Sequence, residues 1–195
     1  MHPRIAKLML SYLSPCLPWW YVALTIPLVH HRFVNATLGQ RYDPKHPTLG
    51  FGRGRVGGVA PLNVAQEADT AWAAAVWLVP DFIAEYFEDE RVVHAMYDCA
   101  RWQMEHWIAV ANSTEGFFSF DVYGDFGNTD TPTDEYRSGK TQYFYAVALN
   151  ITARFARRVG NAADAQRYSA LAKAATEIYI SRLYASSSGC FGNCT

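Results

Sequence analysis

The chain has 195 residues, half of them hydrophobic, with 18% charged and a formal net charge of −1. That length and apolar content suit a domain with a sizeable core and argue against disorder. A near-neutral balance without a Lys/Arg cluster leaves no electrostatic footprint for nucleic acid, and no glycine loop has the flanking strand and helix that a phosphate cradle needs.

The first stretch, Leu8 to Val29, holds no charged residue and follows Arg4 and Lys7. About 20 apolar residues suffice to span a bilayer, and a basic start before an apolar run is also the form of a secretory signal. Pro15, Pro18 and Pro27 oppose a continuous helix. Buried or irregular soluble structure, a signal or anchor, and a mistranslated stretch all stay open, so membrane association stays open with them. Four of the seven asparagines (Asn35, Asn112, Asn150 and Asn193) begin Asn-X-Ser/Thr sequons. They give a secretory location some weight, although Asn150 falls inside a helical pattern and is read as a chance match. Asn35 to Gly58 reads as loop, and residues 1–54 are left unassigned.

From Ala68 the period becomes helical. Ala68 to Phe87 carries Trp72, Val76, Trp77, Leu78, Phe82, Ile83 and Tyr86, apolar almost all round in its first half, with Pro80 predicted to kink it. Arg91 to Ala111 has a one-sided stripe through Val92, Met96, Ala100, Met104, Trp107 and Ala111, with Arg91 and Glu105 toward water. Between Asn112 and Lys140 no helical period is sustained. Instead, carboxylates (Asp121, Asp125, Asp130) alternate with Phe117, Phe118, Phe120, Tyr123 and Phe126. Acceptors beside flat apolar faces suit a sugar, and a loop of this length inside a domain tends to be functional.

The same order then returns. Lys140 to Val159 is again nearly apolar all round, and Ala162 to Tyr184 is amphipathic. Gly160 suits the C-terminal cap of the first, and Asn161 to Asp164 suits the N-terminal cap of the second. A buried helix paired with an amphipathic one, recurring about 70 residues later, predicts an all-α α/α toroid rather than a solenoid of 30–50-residue repeats. Cys16, Cys99, Cys190 and Cys194 match no strong zinc signature. No metal and no cofactor is predicted. The Cys190-to-Cys194 spacing would allow a small disulfide.

Several short runs resemble the bacterial-type α-L-rhamnosidases: Asp69-Thr-Ala-Trp72 through Pro80, Tyr86 to Arg91, Tyr123-Gly-Asp-Phe126, Thr131-Pro132, Thr141-Gln-Tyr-Phe-Tyr145 and Gly189-Cys-Phe-Gly192. They fall in the order of that family's six-hairpin glycosidase domain, over residues 55–195. The resemblance implies part of an (α/α)6 barrel and hydrolysis of terminal α-L-rhamnosides with inversion. It places Asp69, Trp72, Asp125 and Phe126 in the sugar-binding wall, with Phe126 where the family usually has Trp. The family's Arg-Glu-Lys-Leu-Gly-Trp-like segment, which holds its general acid, has no match here, and its general base is unmatched too. The catalytic residues are therefore unassigned. Asp121 and Asp125 are nominal substitutes that no spacing argument favours.

Twelve helices of ~13 residues with ~5-residue connections need about 210 residues. The expectation is a fragment of the barrel, inactive alone and prone to self-association through unpaired apolar faces. Another α/α-toroid glycosidase and a non-catalytic helical-hairpin interaction module are the alternatives.

Overall fold

The computed structural model describes residues 70–118, 134–185 and 189–191. They form α1 (Thr70–Ala73), α2 (Ala75–Phe87), α3 (Arg91–Asn112), α4 (Asp134–Arg158) and α5 (Ala162–Leu183). A two-residue antiparallel pair follows, β1 (Tyr184–Ala185) against β2 (Cys190–Phe191). The described chain is thus all-α apart from this short pairing.

Two hairpins account for the helices, and side-chain contacts fix their directions. Trp77 near the start of α2 meets Trp107 near the end of α3, with ring centroids 4.6 Å apart. Gln142 early in α4 reaches Ala175 late in α5. Each hairpin is therefore antiparallel. Between hairpins, Arg154 pairs with Asp81 and Arg158 with Glu85, both across a separation of 73 residues. A constant separation means that α2 and α4 run parallel. The outer helices follow suit: Tyr97 donates to Asp164 at 2.6 Å, and further along both helices Tyr168 donates to Glu105 at 2.6 Å. An offset of 73 residues with like helices parallel is the hairpin succession of an incomplete α/α toroid, and it exceeds the repeat length of helical solenoids.

The core is an aromatic chain. Trp77 packs on Trp107, Trp107 on Phe118 at 5.0 Å, and Phe118 on Tyr145 at 5.1 Å. Trp77, Trp107 and Phe118 are fully buried. Burial drives the Tyr145 hydroxyl up to about 12, so it stays protonated throughout the neutral range.

Three sequence expectations are refined. The irregularity in the first helix falls at Ala74, between α1 and α2, while Pro80 sits inside α2. Trp77 N–H bonds the Ala74 carbonyl three residues back, a local tightening of the ladder ahead of the proline. Second, α2 is not enclosed on every side. Val76, Trp77, Pro80, Ile83 and Ala84 are buried, whereas Leu78 and Tyr86 are exposed, and Tyr143 of α4 is exposed likewise. Periodicity reports what a helix could bury, and only the neighbours decide what it does bury. Third, α4 begins at Asp134, inside the stretch read as loop. Ser138-Gly139 lowers helix propensity there, yet Gly139 lies where an added Cβ would stand 3.5 Å from Leu183.

The turn joining α4 to α5 matches its reading. Gly160 has φ +79°, Asn161 N–H bonds the Ala156 carbonyl at 2.8 Å, and Gly160 N–H bonds the Arg157 carbonyl at 3.1 Å. This is a Schellman closure. Asn161 then accepts from the Asp164 N–H at 3.1 Å and caps α5. Glu105 departs from its reading, since it faces the partner helix rather than water alone. Arg167 grips both its oxygens, and these hydrogen bonds outweigh burial and hold its carboxyl below the ordinary 4.5.

Two measurements check these features. Nothing lies within 4 Å of a Cβ added at Gly160. Gly160→Ala should therefore cost only the left-handed strain, about 1–2 kcal/mol in urea unfolding. A depressed folded-state pKa means that Glu105 stabilises above its unfolded value and loses that contribution as pH falls through the folded value. Glu105→Gln should flatten the decline in melting temperature below pH 4.5.

Candidate functional site

The parallel inner helices decide which groups share an end. α1 leads into the start of α2, α3 finishes beside that start, and the segment after α3 leads into the start of α4. Trp72, on α1, therefore lies at the end of the helical layer where Phe117 and Phe118 leave α3. α1 also packs against α4, which joins the two hairpins at this end. Trp72 is 52% exposed there. Of the other predicted wall residues, Asp69, Asp125 and Phe126 lie outside the described residues, as does Asp121.

The chain leaves α3 through a built turn. Glu115 and Gly116 both take positive φ, 55° and 82°, and Gly116 N–H reaches back to the Ala111 carbonyl at 2.8 Å. Arg182, at the end of α5, lies 3.6 Å from the Glu115 carboxylate and holds its guanidinium 5.0 Å from the Phe117 ring centroid. These contacts fix the end of α5 beside the end of α3.

Phe118 is then held on three sides. Its N–H donates to Gln142 Oε1 at 2.7 Å, and its carbonyl accepts from the Thr141 hydroxyl at 2.8 Å. Gln142 Nε2 donates in turn to the Ala175 carbonyl at 2.9 Å. Thr141 and Gln142 are fully buried. A buried amide or hydroxyl left unbonded costs about 1–3 kcal/mol, so these groups specify one position for Phe118. The signal was present in the sequence as two adjacent polar residues at the start of an apolar run, and the reading missed its purpose.

Near the same end, Tyr143 is exposed and packs on Phe144 and Tyr179, with centroids 5.6 and 6.2 Å away. Burial first, and the neighbouring Tyr143 second, raise the Tyr179 hydroxyl above its ordinary 10.0. Among the described residues no group of three His, Cys, Asp or Glu side chains could hold a metal ion. Cys99 is buried with its thiol outside any disulfide, while the Cys190-to-Cys194 pairing falls outside the described side chains. No described helix is long and apolar enough to cross a membrane.

A family model described as the bacterial alpha-L-rhamnosidase 6 hairpin glycosidase domain matches residues 26–195. Comparisons with curated proteins and with solved structures gave no match.

Phe118 is the point at which this end is tied to the core, and its removal should be felt there. Phe118→Ala should cost about 3–5 kcal/mol in chemical unfolding. The variant should also change the near-ultraviolet circular dichroism, because the ring stacked between Trp107 and Tyr145 is gone.

Proposed function

The chain belongs to the bacterial α-L-rhamnosidase six-hairpin glycosidase domain family, and on that premise we propose that it is the rhamnoside-binding part of an inverting glycoside hydrolase. Inversion needs one carboxylic acid to protonate the departing glycosidic oxygen. A carboxylate must also take a proton from the water that attacks the opposite face of the anomeric carbon. In this reading Asp69, Trp72, Asp125 and Phe126 form the sugar-facing wall. The carboxylates accept from hydroxyls, and the rings cover the apolar face of the 6-deoxy sugar. Phe126 in place of Trp offers a smaller stacking face and no indole N–H.

The observation that carries the reading is the position of Trp72. Its half-exposed indole lies at the end where the chain enters the acidic and aromatic segment. Neither carboxylate motif of the family is matched in these 195 residues, so they are proposed to bind without turning over. The exposed Leu78, Tyr86, Tyr143 and Ile180 support the further proposal that the chain self-associates.

Titration calorimetry should register L-rhamnose in preference to D-glucose, and Trp72→Ala or Asp125→Asn should weaken binding about tenfold, the equivalent of ~1.4 kcal/mol. An aryl α-L-rhamnoside should release no more phenol than buffer does. Equal affinity for both sugars would contradict the rhamnoside assignment. Turnover abolished by Asp121→Asn or Asp125→Asn would contradict the proposed inactivity. Size-exclusion chromatography should show species larger than 21.9 kDa, and a dye that reports apolar surface should bind strongly.

A further inference from the structure

We propose that Asn112 is a site of N-linked glycosylation, and that Asn150, the other sequon asparagine among the described residues, is not. The modifying group is an oligosaccharide delivered from a lipid-pyrophosphate donor. Neither statement depends on the rhamnoside reading.

A sequon is short enough to arise by chance, so its surroundings decide whether it can act. Asn112 is the last residue of α3, and Asn112, Ser113, Thr114 and Glu115 form an exposed run. The bonds that close this helix end leave the Asn112 side chain out. The Ser113 N–H and hydroxyl both donate to the Val110 carbonyl, at 3.1 and 2.7 Å. The Thr114 hydroxyl lies 3.0 Å from the Ala111 carbonyl, 3.5 Å from that of Val110, and also meets that of Phe117. A bulky polar group on Asn112 therefore extends into water and displaces no packed neighbour.

Asn150 meets the same pattern in a different place. It is exposed, but it lies well inside α4, and Ile151 and Thr152 beside it are buried. The Thr152 hydroxyl donates to the Ala148 carbonyl at 2.7 Å, so it is enclosed by its own helix.

In the transfer, the Asn112 amide nitrogen bonds to the anomeric carbon of the donor sugar and gives up one proton. The bond from that carbon to the lipid pyrophosphate breaks, and the pyrophosphate departs with the electron pair. The pattern read is the amide together with the hydroxyl two residues on. Because the finished turn engages the Thr114 hydroxyl, transfer precedes the closing of the turn. Helix ends fray, whereas the middle of a helix is held on both sides, so the end of α3 stays open to the transferase for longer than the middle of α4. The proposal includes entry of this chain into a secretory compartment, where such donors are met.

The test is the full chain, made with its own N-terminus in a eukaryotic secretory host and digested to peptides. Peptide N-glycosidase in heavy-oxygen water converts a glycan-bearing asparagine into labelled aspartate, which mass spectrometry locates. Label is expected at position 112 and only at background at position 150. Thr114→Ser should keep the label at position 112, and Thr114→Val, which keeps the side-chain volume and deletes the hydroxyl, should abolish it. The readout is made on peptides, so a variant that folds poorly still reports. An unlabelled position 112, equal label at positions 112 and 150, or label at 112 that survives Thr114→Val overturns the proposal.

Discussion

Everything at the candidate end of this protein depends on how Phe118 is held. Its ring closes an aromatic chain from α2 through α3 to α4, and its peptide groups are taken by Thr141 and Gln142. Apolar stacking alone is non-directional and tolerates sliding. Hydrogen bonds in a buried setting are directional and expensive to leave unmade. The combination converts a place where a helix merely ends into a fixed point. Gln142 extends the constraint to α5 through Ala175, so the second hairpin is tied to the end of the first.

The polar staples between hairpins have a different task. Asp81 with Arg154 and Glu85 with Arg158 join the inner helices, while Tyr97 with Asp164 and Glu105 with Arg167 and Tyr168 join the outer ones. Partly exposed ion pairs contribute little net stability. Their value here is register. Two pairs with one sequence separation leave a single alignment of α2 against α4, and that alignment sets Trp72 at the end where Phe118 lies. The Glu105 carboxyl must be charged to grip Arg167, so acid weakens this outer contact only as pH falls through its lowered value.

Helices, their order and their caps were legible because each has a local cause. The stripe through Val92, Met96, Ala100 and Met104 identifies α3, and Gly160 with Asn161 marks the turn before α5 through positive φ and capping. What lay beyond the sequence was every feature that depends on two distant segments. The exposure of Leu78 and Tyr86 follows from neighbours rather than from period, while the irregularity at Ala74 and the start of α4 at Asp134 fall where the hydrophobic period gives no sign of them. Of the wall residues inferred from family resemblance, only Trp72 falls among the described residues, where it is half-exposed. Thr141 and Gln142 were visible as part of a family-like run, but their bonds to Phe118, more than twenty residues earlier, could not be read from spacing.

The parallel course of α2 and α4 is the claim on which the shared end rests, and inter-label distances by pulsed electron resonance test it directly. Spin labels carried by non-cysteine chemistry at Glu88 and Arg157 mark the finishing ends of the two helices; a second sample pairs Glu88 with Lys140, near the start of α4. Lys140 and Arg157 are separated by about 25 Å of helix rise. Parallel helices predict that the Glu88–Arg157 distance is clearly the shorter of the two. A shorter Glu88–Lys140 distance would mean antiparallel inner helices, and Trp72 and Phe118 would no longer share an end.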